Sequence, residues 1–292
     1  MTTAATGLSR AETGDIDIEP LVGLAAWRLP VSGTSAIEFA AQAGVAGIQL
    51  DLGGPGRGEW IDQPGQIAAL RRCASDHGIG LLALAGNHLN DVGLTATASS
   101  VTGMRVRGLL LRQLDAAYQL GVPLAVVPSF RHSAMNSIDA LQRTIEVMAW
   151  ASDQAAERGL QLANENTLPA RDARRLVRSV GSPVFRLVLD TYNPVAAGLD
   201  PAELVVELGS WFADQLHLKD GSPEAGNTAL LGEGTGEVAA TLAAVGRCRL
   251  AMRYLVLEND YRDGDLARVA TDIARARRYA DGLSPTRIEV GL

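Results

Sequence analysis

The sequence predicts one α/β domain built as a single (β/α)8 barrel of the TIM type. Three observations predict it. Short apolar runs alternate with longer amphipathic segments eight times along 292 residues. The runs are nearly continuous in Leu, Val, Ile and Ala, the pattern of parallel strands covered on both faces. No Gly-rich phosphate turn follows the first run, where a doubly wound open sheet would carry one. The length is ordinary for one such barrel.

The strands are expected at residues 21–26, 46–52, 79–85, 123–128, 161–166, 186–190, 214–219 and 254–259. The first helix should open at Ser35, with Glu38 completing a capping box, and stop at Gly44. Helical patterning continues over 64–77, 102–120, 137–158 and 171–180. Asp200 caps the next helix, with Pro201 at its first position. Segments 237–247 and 264–281 complete the set, and Gly44, Gly78, Gly121 and Gly159 separate helices from following strands. Residues 1–18 are small and polar and read as a flexible leader, leaving 19–292 as the barrel domain.

Hydrophobic residues make up 47% of the chain and charged residues 20%, the profile of a soluble globular enzyme. The net charge of −7 argues against a nucleic-acid surface, which needs a basic stripe to displace counterions. No run reaches transmembrane length and no apolar signal core opens the chain, so no membrane partner and a cytoplasmic location are expected. Cys73 and Cys248 are read as reduced thiols.

Four polar residues close four consecutive expected strands: Glu165, Asp190, His217 and Glu258, separated by 25, 27 and 41 residues. Barrel strands deliver their carboxyl ends to one mouth, so these side chains are expected to meet there. Three carboxylates and one imidazole, without thiolate, suit Mn²⁺ or Mg²⁺, with Co²⁺ or Zn²⁺ also accommodated. A cation in such a cage polarises a sugar carbonyl and acidifies the neighbouring C–H by stabilising an enediolate. Glu165 and Glu258, on opposite sides of a substrate, can remove and return the proton.

These residues sit in motifs that carry a resemblance: Ala163-Asn-Glu165-Asn-Thr, Leu189-Asp190-Thr-Tyr-Asn193-Pro, Ala197-Gly-Leu-Asp-Pro201, His217-Leu-Lys219-Asp220-Gly, Leu231-Gly-Glu233-Gly and Leu257-Glu258-Asn. The chain resembles the sugar phosphate isomerase/epimerase branch of the xylose-isomerase-like barrel superfamily, from about residue 21 to 280. The resemblance implies that Glu165 and Glu258 both ligate the metal and exchange the substrate proton, while Asp190 and His217 are ligands only. It also implies a homo-oligomer. Two departures stand out. Epimerases of this group place a His three residues beyond the strand-six Asp, where this chain has Asn193. Endonuclease IV, in the same superfamily, needs further His and acidic ligands, and this chain has only four His.

Further candidates surround the set. Lys219 is the only lysine among 26 basic residues and shares a strand face with His217. It can donate to a substrate oxygen, or pair with a neighbouring acid such as Glu233. Asn193, Glu233, His88 after the third strand and Arg131 after the fourth complete the substrate-binding candidates, Arg131 as the phosphate group's partner. Trp27 and Trp60 follow strands one and two and either floor a sugar site or pack.

The expectation is thus a divalent-metal-dependent isomerase or epimerase of a sugar or cyclitol. The alternative is a lyase of the same fold, an inosose dehydratase or a cleaver of 3-keto glycosides, since one enediolate serves both. A sugar-binding barrel without turnover is the remaining class.

Overall fold

The computed structural model describes residues 15–18, 20–224, 226, 228–283 and 286–289. The strands are β1 (Asp15–Ile18), β2 (Leu21–Ala25), β3 (Gly47–Asp51), β4 (Gly80–Ala85), β5 (Leu124–Pro128), β6 (Gln161–Glu165), β7 (Phe185–Asp190), β8 (Phe212–Leu218), β9 (Tyr254–Leu257) and β10 (Thr286–Glu289). The eight from β2 to β9 close into a barrel in sequence order, β9 pairing in parallel with β2. Each apolar run expected to be a barrel strand is one, to within two residues at either end.

The helices are α1 (Thr34–Gln42), α2 (Gln66–His77), α3 (Leu89–Val92), α4 (Val101–Leu120), α5 (Ile138–Ala156), α6 (Ala170–Val180), α7 (Asn193–Ala196), α8 (Pro201–Leu208), α9 (Val238–Arg247) and α10 (Leu266–Asp281). Asp200 caps α8 as expected, its Oδ1 accepting from the amides of Ala202 and Glu203. The capping box at Ser35 does not form. Helix α1 starts one residue earlier, after Gly33 at φ 61, with no side-chain cap. The short helices α3 and α7 lie in loops beyond strand ends, where four residues carry no readable period.

The main core lies between barrel and helices, in residues such as Leu24, Ile48, Leu84, Leu162 and Leu216. The barrel interior is filled mostly by small groups, including Ala83, Ala85, Ala163 and Ala213. Leu82 crosses it from β4, and a Cβ on Gly47 would meet Leu82 Cδ2 at 2.5 Å and the fixed Gly80 carbonyl oxygen at 2.7 Å, so this floor requires glycine there. Residues 1–14 of the expected leader lie outside the described residues. Its last four form β1, paired antiparallel with β10, so both ends of the described chain meet in a ribbon outside the barrel. No helix among the described residues is long and apolar enough to cross a membrane.

Candidate metal centre and active site

Glu165 ends β6, Asp190 ends β7, His217 is the last residue but one of β8, and Glu258 follows β9 directly. Parallel register places these ends side by side, with Asp190 opposite His217 across β7 and β8. One ligand atom from each of the four lies within 4.8 Å of every other, and all four residues are buried. The expected convergence therefore occurs.

The neighbours orient each candidate ligand. Asp190 Oδ1 accepts from the backbone amides of Tyr192 and Asn193. Its Oδ2 makes no hydrogen bond and has the Lys219 ammonium 3.5 Å away. His217 Nε2 lies 3.0 Å from Gln49 Oε1, while Gln49 donates to Gln215 and Gln215 to the Leu82 carbonyl. Because both Gln amides are committed as donors, the Gln49 oxygen is the acceptor and His217 Nε2 carries hydrogen. Nδ1 is then the free atom. It is buried, makes no hydrogen bond, and lies 3.4 Å from Glu258 and 3.6 Å from Glu165. An orphaned carboxylate oxygen and an orphaned imidazole nitrogen facing two more carboxylates fit a divalent cation, with hard oxygens and one imidazole as donors.

The electrostatics agree. Burial would lower the His217 pKa, but the Glu165 and Glu258 carboxylates raise it to about 10. Burial raises Asp190 to about 6, opposed by Lys219 and reinforced by Glu258 and Glu165. In the protein alone, a proton on His217 thus compensates crowded negative charge, the role a cation would fill. Burial works against the ionised form of Glu258, yet Lys219, Arg28 and His217 hold its carboxyl well below the usual range. Its Oε1 accepts from Trp27 Nε1 at 2.9 Å and from Arg28 at 3.0 and 3.1 Å, and its Oε2 from Lys219 at 3.2 Å.

A cavity of about 360 Å³ opens over this cluster. Its wall contains Glu165, Glu258, Lys219, Asn193 and Arg131 from the expected set. Asn193 donates to Glu165 Oε1 at 3.1 Å and accepts from Lys219 Nζ at 3.2 Å, tying the two together. Two expected substrate contacts are placed elsewhere. His88 is buried beneath the wall, 3.2 Å from Arg105 and edge-on to Trp60, because the chain turns into α3 directly after it. Glu233 is bonded to Arg275, so the acids paired with Lys219 are Asp190 and Glu258 rather than Glu233.

The Gly-Glu-Gly loop has a different anchor. Buried Asp220 accepts from the amides of Gly221, Gly232, Gly234 and Gly236. A Cβ on Gly234 would sit 2.3 Å from Asp220 Oδ1, so the loop's glycines follow from this grip. Asn259 continues the brace, accepting from the Asp220 amide at 2.8 Å and donating to Asp272 at 2.8 Å.

Sequence reasoning missed Gln49, Gln215, Arg28, Arg57 and Arg262, the last three on the cavity wall. A glutamine within a buried apolar strand was a usable signal for the first two. The arginines had none in a chain so rich in them.

Residues 37–281 match the model of the xylose isomerase-like TIM barrel family. The chain belongs to that family. It is 53% identical over 259 residues to a 2-epi-5-epi-valiolone 7-phosphate 2-epimerase from Actinoplanes sp. strain SE50/110, covering 89% of this chain and 94% of that protein. Among solved structures, an L-ribulose 3-epimerase superposes with TM-score 0.72 at 17% identity, covering 90% of this chain and 95% of that one. A D-allulose 3-epimerase from Methylomonas sp. gives 0.70 at 17% identity, covering 90% and 98%. These two establish the fold of this family member. The relative at 53% identity, with the site geometry, bears out an enzyme of the isomerase/epimerase class.

Proposed function

We propose that this chain is a divalent-metal-dependent epimerase of a phosphorylated cyclic polyhydroxy ketone, inverting the carbon beside the carbonyl. The reading is carried by the convergence of Glu165 and Glu258 on one cavity from opposite ends of the ligand arc, β6 and β9. The name of the 53% identical relative supplies the substrate class and the reacting position.

Glu165, Asp190, His217 and Glu258 would hold the ion, Mn²⁺ by preference for an oxygen-rich set with one imidazole. A bound ion supplies a Lewis acid that lowers the pKa of the C–H beside the substrate carbonyl. Glu258 is ionised and lines the cavity as the base on one face, and the Lys219 and Arg28 contacts that keep it ionised also lower its basicity. Glu165 delivers a proton drawn from solvent on the other, Glu258 gives the abstracted proton up to solvent, and the reverse reaction exchanges the roles. Lys219 stays an ammonium because Asp190 and Glu258 outweigh its burial, and it presents positive charge to the enolate oxygen. Asn193 holds Glu165 and Lys219 in register, in place of the histidine found there in other epimerases. A cytoplasmic location and a homo-oligomer complete the reading, checked by fractionation and light scattering.

The test is epimerisation of 2-epi-5-epi-valiolone 7-phosphate in deuterated water with Mn²⁺, followed by proton NMR and mass. One deuterium at the inverted carbon, with the mass otherwise unchanged, is the expected result. Loss of water would assign a lyase, and no exchange on any cyclic or open ketose with any divalent ion would remove the catalytic reading.

A further inference from the structure

We infer that Arg57 and Arg131 form the anion site of this pocket, and that its ligand is a phosphate monoester. The inference rests on the epimerase reading above for its substrate, but not for its geometry. The cavity wall carries five cationic side chains, Arg28, Arg57, Arg131, Lys219 and Arg262, against two carboxylates, Glu165 and Glu258. That excess stands in a chain whose net charge is −7, so the positive charge is gathered locally.

The five cations are not equivalent. Lys219 and Arg28 are committed to Glu258, and Arg28 could not leave without releasing the carboxylate assigned to proton transfer. Arg262 is matched one to one by Asp260, two residues away. Arg57 and Arg131 differ because they share a single acid. Arg57 Nε donates to Asp91 Oδ2 at 2.7 Å, and Arg131 approaches Asp91 Oδ1 at 2.5 Å. Two guanidiniums paired to one carboxylate leave most of their N–H donors unspent, with buried Asp51 the further acid in the field of Arg57. Both remain accessible, with side-chain exposures of 20% and 55%.

The backbone around them is built for this meeting. Arg131 has φ 51, left-handed and rare for a residue with a Cβ. Its turn is held by Asn90, whose Oδ1 accepts from the Phe130 amide at 2.7 Å. Arg57 sits in a turn closed by its own amide on the Gly54 carbonyl at 2.8 Å. The two turns follow β3 and β5, on the half of the mouth that contributes no metal ligand. A substrate with its carbonyl over the ligand cluster would therefore extend its remote substituent toward these arginines. A phosphate ester, carrying about −1.5 to −2 charges at neutral pH, matches a pair of planar guanidiniums.

Arg57→Ala, Arg131→Ala and the double variant, all loaded with Mn²⁺, test this against two probes. The first is inorganic phosphate, followed by calorimetry. Phosphate binding is expected to weaken about 10- to 100-fold in each single variant, the range for losing a hydrogen-bonded charge partner, with Mn²⁺ affinity unchanged. The second compares turnover of the phosphorylated cyclic ketone with that of its dephosphorylated form. The variants should raise KM by a similar factor for the ester alone, leaving kcat within about threefold. Equal losses on both substrates, or unaltered phosphate binding, overturns the anion site. A wild-type enzyme inactive on the ester but binding phosphate through these arginines would instead overturn the substrate reading and keep the site.

Discussion

Replacing Gln49 by Leu should loosen the cation site without touching any ligand. Gln49 is fully buried, and its Oε1 accepts the hydrogen of His217 Nε2 at 3.0 Å. Leucine fills similar volume but accepts nothing, so the imidazole keeps a buried unpaired N–H at a cost of about 1–3 kcal/mol. The ring, protonated on both nitrogens in the metal-free protein, would then give up its Nε2 hydrogen more readily than the one on Nδ1, where Glu258 and Glu165 lie 3.4 and 3.6 Å away. Nδ1 is also the atom facing the other three ligands, so either outcome opposes metal uptake. Loss of such an outer hydrogen bond ordinarily weakens binding about 10- to 100-fold. Mn²⁺ titration by calorimetry or electron paramagnetic resonance measures the change, and ¹⁵N NMR of the imidazole reports which nitrogen is protonated. A folded variant with Mn²⁺ affinity within twofold of wild type would refute the reasoning.

Metal uptake should also depend on pH in a defined sense. His217 holds its proton up to about pH 10 in the metal-free protein, and a ligating Nδ1 must lose it. Binding near neutrality then releases about one proton per ion, and affinity rises about tenfold per pH unit. Below the Asp190 pKa of about 6 a second proton must leave, steepening the slope; calorimetry in buffers of different ionisation enthalpy counts both, and zero release contradicts the assignment. Glu165→Gln should retain an ion while hydrogen–deuterium exchange into substrate falls by at least about 10²-fold, the low end for an acid/base group; NMR-detected exchange at the wild-type rate would dismiss Glu165 from proton transfer. Asp220→Ala strips four amides of their acceptor and should cost about 3 kcal/mol or more, lowering Tm by roughly 6–12 °C, which calorimetric melting detects.

The fold was legible because each barrel strand is a nearly continuous apolar run, and burial on both faces leaves no other pattern. The convergent cluster of four candidate ligands was legible for the complementary reason: an ionisable group closing such a run has few structural uses. Lys219 was legible by alternation, and it does pair with neighbouring strand-end acids, Asp190 and Glu258, while the Glu233 offered as an example lies on the loop that Asp220 grips and bonds Arg275 instead. His88 lies off the cavity wall because strand-end position says nothing of the following turn, which makes it the residue directly before α3 and buries its ring against Trp60 and Arg105. The Ser35 cap failed since Gly33, at a φ closed to most residues, already starts the helix. Arg28, Arg57 and Arg262 were invisible because their value is positional, set by loops that meet only in three dimensions. The ribbon of β1 and β10 joins segments some 270 residues apart, beyond any local pattern.

The mouth is built unevenly, and that asymmetry bears on how such an enzyme can diverge. The β6–β9 rim is cross-braced by buried polar links through Asp220, Asn259 and Asp272, so a change there disturbs the reacting centre and the scaffold together. The loops after β3 and β5 bury Leu52, Ile61, Ser129 and Ser133, but their largely exposed tips, residues 55–59 and 131–132, meet through ion pairs at Asp91 and can be rewritten at smaller thermodynamic cost. Descendants with new appetites should therefore differ first at residues 55–59 and 131–132, while their chemistry stays put.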